Sequence, residues 1–196
     1  MRTYLGVVVA SALTAASAVG LDYVNEDFEG SFPPAGWTTA YGGTGNASWS
    51  QASGGPEGKY ASGSASSFGD GLVWATFMSP EFNVKGNTTV YYRFDYGLWG
   101  NGHGVEGGEF YIVYADEPAR RLQYRELEGL PSWAEFAGSA AVSADDRFKA
   151  CWRVWADDYW RYHFAFLFID DVIIADQPRH PAVEPASVGR VKALFR

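Results

Sequence analysis

The stretch Tyr162–Asp176, YHFAFLFIDDVIIAD, decides the fold. It is apolar on both sides of one acidic pair, Asp170 and Asp171, and its aromatic and β-branched residues favour a β-strand over a helix. Because the apolar character is continuous, the stretch predicts a strand that is covered on both faces. Two carboxylates inside such a strand are costly unless a positive charge neutralises them, so we expect a cation or a basic side chain nearby.

Short strand patterns recur along the rest of the chain, separated by turns rich in glycine and proline, and no convincing helical period is present. This arrangement predicts an antiparallel β-sandwich. The clearest strand patterns are Leu72–Phe77, Thr88–Leu98, Glu109–Ala115, Arg121–Leu127, Trp133–Val142 and Phe148–Trp155. Two glycine-rich stretches are instead expected to be loops: Ala40–Asp70, with one short strand about Trp49, and the surface loop Gly100–Gly108.

Composition and charge narrow the class of partner. The 196 residues contain 15 Lys plus Arg against 23 Asp plus Glu, a formal net charge of −8, which argues against a nucleic-acid or anionic-membrane partner. The single cysteine, Cys151, has no second cysteine with which to form an internal disulfide, and its place in an apolar strand predicts a buried residue.

Three segments are predicted. Residues 1–18 have the charged start, apolar run and small-residue end of a secretory signal peptide, and the run is too short for a good membrane span. Residues 22–176 form the β-sandwich, and residues 177–196 form a proline-rich linker and a short basic tail. The mature protein is therefore expected to be secreted or at the cell surface, without insertion into the membrane.

Three motifs in order carry a family resemblance. They are DFEG with FPPAGW in residues 27–37, MSPEFNV in residues 78–84 before the strand at 90–96, and IDDV at residues 169–172. Over about Val24–Ala175 the chain resembles the choice-of-anchor J and cleaved-adhesin domains of bacterial surface proteins, relatives of the MAM-type jelly roll. The resemblance implies an all-β, antiparallel two-sheet jelly-roll sandwich whose first and last strands are neighbours. It also implies a bound calcium ion and a role in adhesion or carbohydrate binding.

The acids at the two ends of the domain are the candidate calcium ligands. Calcium binds carboxylate, carbonyl and water oxygens. Glu29 and Asp171 are the first choices, with Asp170, Asp27 and Glu26 as further ligands. Strand alternation sends Asp170 and Asp171 to opposite faces unless a bulge intervenes. The alternative is that one acid caps a loop or pairs with an arginine, namely Arg93, Arg153 or Arg161, while the other is solvated.

Sugar recognition requires exposed aromatic rings that stack on a pyranose and polar groups that bind its hydroxyls. With Arg153 and Asp158 as polar partners, the candidate rings are Trp99, Trp155, Tyr159, Trp160 and Tyr162. The competing interpretation is that each ring is a core residue, which is common for aromatic side chains in a sandwich.

We therefore expect a non-catalytic adhesin-type module that binds a carbohydrate or a cell-surface protein. One alternative is a secreted lectin-like glycoside hydrolase that uses Glu106 with Glu109, or Glu126 with Glu128. The sequence has no nucleophile elbow, zinc-type histidine pair or phosphate loop, and nothing gathers the three histidines. Another alternative is a structural envelope protein that has no specific ligand.

Overall fold

The computed structural model describes residues 21–56, 58–69, 71–85, 88–101, 106–129, 132–143, 146–157 and 162–178. Within these ranges the regular structure is entirely β. The strands are β1 (Asp22–Glu26), β2 (Thr38–Gly43), β3 (Asn46–Ser53), β4 (Lys59–Phe68), β5 (Val73–Met78), β6 (Phe82–Asn83), β7 (Thr88–Gly100), β8 (Glu106–Tyr114), β9 (Arg121–Leu127), β10 (Ala134–Val142), β11 (Arg147–Ala156) and β12 (Tyr162–Ala175).

The strands form two antiparallel sheets. Sheet A has the order β10-β7-β12-β4-β3, with β1 also paired to β12, and sheet B has the order β2-β5-β11-β8-β9, with β6 also paired to β11. The first and last strands are neighbours, with Asp22 opposite Ala175 and Glu26 opposite Val172. The predicted two-sheet antiparallel jelly-roll sandwich is therefore confirmed.

Aromatic side chains fill the space between the sheets. Phe94 of sheet A contacts Phe110 and Trp152 of sheet B, with ring centroids 4.9 and 5.4 Å apart, and all three side chains are fully buried. Near one end of the sandwich, Trp37 stacks on Phe77 at 4.7 Å. Burial of each such side chain stabilises the fold by about 1.5–3 kcal/mol, so these rings contribute substantially to its stability.

The prediction that β12 is covered on both faces is wrong. Its inner residues His163, Ala165, Leu167 and Ile169 are buried, whereas the alternate residues from Tyr162 to Phe168 are half-buried or exposed. The sequence is continuously apolar because aromatic residues occupy the outer face as well as the inner one. Among the described residues no further layer covers the outer face of sheet A.

A β-bulge interrupts β12 at the acidic pair. The register with β7 shifts between Asp170 and Ile173, and Asp171 has a left-handed backbone with a φ of 48°. The bulge reverses the alternation, so that Val172 and Ile174 face the core beyond it. It therefore lets the strand keep an apolar inner face on both sides of the two acids.

The short strand expected about Trp49 is present as β3, but the rest of the stretch 40–70, expected to be an irregular loop, also carries strands β2 and β4. On β4 the inward residues are small because Trp49 of β3 lies over Gly63. A Cβ at Gly63 would be 2.6 Å from the indole, so only glycine fits. Strand propensity favours bulky residues, but here cross-strand packing of a large ring on small neighbours decides the structure.

Two further expectations change in detail. The loop expected over residues 100–108 is shorter at both ends, because Gly100 belongs to β7 and residues 106–108 belong to β8, while residues 102–105 lie outside the described part. Cys151 is buried as predicted, but it lies on the outer side of sheet B with Tyr111, Val113 and Met78 rather than between the sheets.

The predicted signal peptide and most of the predicted tail lie outside the described residues. Among the residues that are described, there is no helix with the length and apolar character needed to cross a bilayer.

Candidate functional site

The predicted ligand-binding rings lie on two different faces. Trp99 and Tyr162 lie on the outer face of sheet A, where both are more than half exposed. Trp155 lies on the outer face of sheet B, since it is opposite Trp74 on β5 and Gly107 on β8. Asp158, Tyr159 and Trp160 lie outside the described residues.

Two indole rings cover the outer face of sheet B. Trp74 lies over Gly42 of the neighbouring strand, where a Cβ would be 2.5 Å from the indole Cε2. Trp155 lies in the same way over Gly107, where a Cβ would be 3.0 Å from Cζ2. Because Trp74 and Trp155 are register partners, the rings extend in opposite directions from the centre of the sheet. Glycine on each flanking strand gives the rings the room to do so.

Arg153 precedes Trp155 by two residues on β11, on the same face of the sheet, and it contacts four side chains. Its guanidinium lies 4.9 Å from the ring centroid of Trp74 and 5.3 Å from that of Tyr111. Its Nε donates to the Thr76 hydroxyl at 3.2 Å, and Nη1 lies 3.7 Å from the Glu109 carboxylate. Aromatic and polar contacts together therefore hold the planar guanidinium in place.

Glu109 connects Arg153 to the next strand. The Tyr124 hydroxyl donates to its Oε1 at 3.4 Å, and the two carboxylates of Glu109 and Glu126 belong to directly opposed residues of β8 and β9. Burial, followed by the charges of Glu109 and Glu126, raises the pKa of Tyr124, which keeps the phenol protonated and able to donate. Arg121 lies 5.1 Å from the ring of Tyr124 and completes the polar border.

We call this surface the sheet B face; it consists of Trp74, Trp155, Thr76, Arg153, Glu109, Tyr111, Tyr124 and Arg121. Its rings offer apolar contact, while its arginine and carboxylate groups can bind adjacent hydroxyls. Sequence reasoning identified Trp155 and Arg153 but missed the grouping of Trp74, Glu109 and Tyr124 with them. The period-two alternation places each residue on one side of its own strand, but only the register between strands brings them together.

The carboxylate pairs considered for catalysis are not assembled as that hypothesis requires. Glu106 points between the sheets, where its Oε2 lies 3.4 Å from Nδ1 of His163, whereas Glu109 points outward. Glu126 is outward on β9, but Glu128 follows the end of that strand and lies beside the buried Tyr96. Neither predicted pair therefore flanks a common position on the surface.

Of the acids predicted to bind calcium, Glu29 and Asp170 approach the same loop. Glu29 accepts a hydrogen bond from the backbone N–H of Lys59 and leaves no room for a Cβ at Gly58. Asp170 lies at the other end of that loop, where its Oδ2 would be 3.0 Å from a Cβ at Gly55. The loop is closed by backbone N–H groups of Gly54 and Gly55, which donate to the Gly58 carbonyl at 2.8 and 2.9 Å.

The other acids have different neighbours. Asp171 forms an ion pair with Arg93, which is one of the alternatives given by the sequence, and Arg93 also lies 3.3 Å from Glu135. Asp27 accepts from the Glu29 N–H at 3.0 Å, and Glu26 accepts from the Phe28 N–H at 2.9 Å. Among the described residues no three Asp, Glu, His or Cys side chains form a metal-binding cluster. A cation near Glu29 and Asp170 would therefore also need carbonyl or water oxygens.

Comparison with known proteins supports the fold. No protein-family model matches the sequence, and no curated protein matches it. Similar solved structures include two cleaved adhesin domains of Lys-gingipain from Porphyromonas gingivalis W83. The K3 domain is 17% identical, with a TM-score of 0.51, and the match covers 79% of this chain and 99% of that domain. The K1 domain is 12% identical, with a TM-score of 0.52, covering 79% and 98%.

The enzymatically active domain of tailspike protein 4 from bacteriophage CBA120 is also similar, at 13% identity and a TM-score of 0.52. That match covers 71% of this chain but only 19% of the tailspike chain. At these identities the similarities show the jelly-roll-like sandwich and nothing more. The expected resemblance to cleaved-adhesin domains is thus supported at the level of the fold.

Proposed function

We propose that this protein is a carbohydrate-binding module of the adhesin type and that it binds its ligand on the sheet B face. The observation that carries the proposal is the arrangement of Trp74 and Trp155 beside the Arg153–Glu109 pair. Pyranose rings present apolar C–H faces to aromatic rings and hydroxyls to charged side chains, and this surface offers both kinds of group together.

The charges of the face favour a neutral sugar chain. Arg153 lies against the Glu109 carboxylate, and Arg121 lies on a strand that also carries Glu126, so the two arginines of the face are offset by two carboxylates. The net charge of −8 for the whole chain disfavours an acidic ligand further. We infer that hydroxyl groups, rather than carboxylates or phosphates, are the polar groups recognised.

The wider assignment follows the same proposal. A secreted or cell-surface module of the choice-of-anchor J or cleaved-adhesin type, without catalytic activity, agrees with the sequence motifs and with the fold. We further propose that a structural calcium ion binds between Glu29 and Asp170, with carbonyl oxygens of the described loop residues 54–56 and 58 and water as further ligands. Such an ion would tie the first strands of the domain to the last one.

Two measurements test the proposed face: a screen of the protein against a glycan array, and calorimetry that gives its affinity for the best ligand. We expect Trp74→Ala and Trp155→Ala each to lower affinity at least tenfold, about 1.4 kcal/mol, because each removes an aromatic contact. Trp99→Ala is the matched control, since it removes an exposed indole from the opposite sheet. Undiminished affinity in both sheet B variants, or the absence of any glycan ligand, would overturn the proposal and favour a structural protein.

A second candidate function, glycoside hydrolysis, rests on one observation: Glu126 of β9, at the border of the sheet B face, is directly opposite Glu109 of β8. Side chains at such positions can place carboxyl groups near the separation of about 5–5.5 Å that retaining enzymes use. Incubation of the bound glycan with the wild-type protein and with Glu126→Gln distinguishes this candidate. Hydrolysis that is lost in the variant would establish an enzyme, whereas unchanged glycan would leave the binding module.

A further inference from the structure

The outer face of sheet A carries an aromatic surface that the sheet B face does not include. We call it the aromatic strip; it consists of Phe68, Tyr162, Phe164, Trp99, Phe166 and Phe168. Three of these side chains are among the most exposed large apolar groups of the described residues, with exposures of 74% for Phe68, 57% for Trp99 and 52% for Tyr162. Contiguous exposed apolar surface of this kind marks an interaction site.

The strip is continuous along the strand. Successive ring centroids on β12 lie 5.6 Å apart from Tyr162 to Phe164, 5.8 Å from Phe164 to Phe166 and 6.3 Å from Phe166 to Phe168. Trp99 of β7 lies between two of these rings, 5.3 Å from Phe164 and 5.7 Å from Phe166. The six-residue separation of Tyr162 and Phe168 on a strand makes the strip about 20 Å long.

Columns of hydroxyl groups border the strip on one side. On β4, Ser66, Ser64 and Ser62 lie opposite Phe164, Phe166 and Phe168. On β3 the next outward residues are Asn46, Ser48 and Ser50, which lie opposite the same three serines. The hydroxyls of Ser48 and Ser64 are 2.9 Å apart, so the two columns contact each other. An apolar strip and a polar border thus run side by side along the strands.

This part of the surface carries no acidic or basic side chain. Across the register rows from Tyr162 to Phe168, the described outward positions of β3, β4, β7 and β12 hold only aromatic, serine, asparagine and glycine residues. The first charged residues, Asp95 and Asp170, are opposite each other in the next outward row after Phe168 and Gly97. The sheet B face, by contrast, is built around an arginine and a carboxylate.

We propose that the outer face of sheet A is a second binding face, for a neutral polysaccharide whose chains are packed side by side into a flat, insoluble surface. Such a surface alternates apolar ring faces with rows of hydroxyls, which matches a strip of rings bordered by hydroxyl columns. A second copy of the chain fits less well, because it would bring the same net charge of −8 against this one. The observations are independent of those for the sheet B face.

Sedimentation with insoluble polysaccharides tests the proposal. The full chain is mixed with microcrystalline cellulose, chitin or curdlan, and the bound fraction is measured. We expect binding to at least one of the three, reduced tenfold or more by Trp99→Ser and by Phe68→Ser. The matched control Tyr41→Ser, which changes a half-exposed aromatic residue of β2, keeps wild-type binding. Circular dichroism and melting curves that coincide with those of the wild type show that the variants are folded.

Three outcomes would overturn this second face: no binding to any of the three solids, binding that both strip variants retain, or a dimer in light scattering that the strip variants abolish. The last outcome would make the strip an interface between copies. Loss of soluble-glycan binding in Trp74→Ala and Trp155→Ala concerns the sheet B face alone. The two experiments therefore test the proposal for the aromatic strip and the proposal for the sheet B face separately.

Discussion

At the scale of single residues, the position of Arg153 between two aromatic rings gives a sharp prediction. Lysine would keep the charge but lose the planar group that packs on Trp74 and Tyr111 and contacts Glu109. We expect Arg153→Lys to lower glycan affinity about fivefold to tenfold, about 1 kcal/mol, by calorimetry. Arg120→Lys is the control. The Arg120 guanidinium also packs on an aromatic ring, 4.0 Å from the centroid of Tyr114, but neither residue belongs to the sheet B face. Equal affinity in the two variants would contradict a role for the guanidinium.

Cys151 provides a second prediction at this scale. Burial raises the pKa of its thiol to about 12. The thiol is therefore protonated at pH 8 in the folded protein, and we expect a disulfide reagent to label it at least about 100-fold more slowly than in the urea-unfolded chain. Equal labelling rates in the folded and unfolded protein would show that the thiol is accessible.

The raised pKa of the Cys151 thiol also predicts how the free energy of unfolding changes with pH. The unfolded thiol loses its proton near pH 9, whereas the folded thiol keeps it until about pH 12. The contribution of the buried thiol to the free energy of unfolding is complete below pH 9. It is lost as the pH rises from about 9 to about 12, by up to about 1.4 kcal/mol per pH unit. Buried tyrosines with raised pKa values, such as Tyr92 and Tyr111, act in the same direction. Cys151→Ala should therefore reduce, but not remove, the alkaline slope of the unfolding free energy.

At the scale of strands, β4 depends on small residues under a large ring. Gly63→Ala places a Cβ 2.6 Å from the Trp49 indole, and such overpacking typically costs about 1–3 kcal/mol. Urea denaturation measures the loss. Gly30→Ala is the control, because nothing lies within 4 Å of its Cβ position, and it should leave the unfolding free energy unchanged or raise it by up to about 1 kcal/mol. Equal stability of the two variants would refute this packing.

The strands also show what the sequence can predict. The bounds predicted for β9 agree with the structure, and period-two alternation gave the buried set Phe148, Ala150, Trp152 and Val154 of β11. Alternation missed β4 and gave only a short strand about Trp49 for β3, because serine and glycine carry no strand signal. Pairing with β12 fixes β4, and pairing with β4 fixes β3. The site was predictable only in part for a related reason: Trp155 and Arg153 could be named, but their partners come from other strands whose register the sequence does not specify.

At the scale of the whole molecule, the proposed calcium ion links the two ends of the domain. We expect melting at several degrees higher temperature with calcium than with chelator, since ion at about 100 times its Kd adds about 2.7 kcal/mol. Glu29→Gln and Asp170→Asn should remove this shift. Asp171→Asn should retain it, because Asp171 contacts Arg93 instead. Coincident curves for the wild-type protein would refute the calcium proposal and leave Lys59 as the positive charge beside Glu29.

Two sheets with different outer surfaces give the molecule two faces, one with charged hydrogen-bonding groups and one that is aromatic and neutral. An NMR titration of the full chain with the best soluble glycan tests most directly which face binds it. The sequence holds 8 tryptophans, and we expect the indole N–H signals of Trp74 and Trp155 to shift, together with amides of β5, β8 and β11. Shifts confined to Trp99 and the amides of β7 and β12, with Trp74 and Trp155 unmoved, would contradict recognition on the sheet B face.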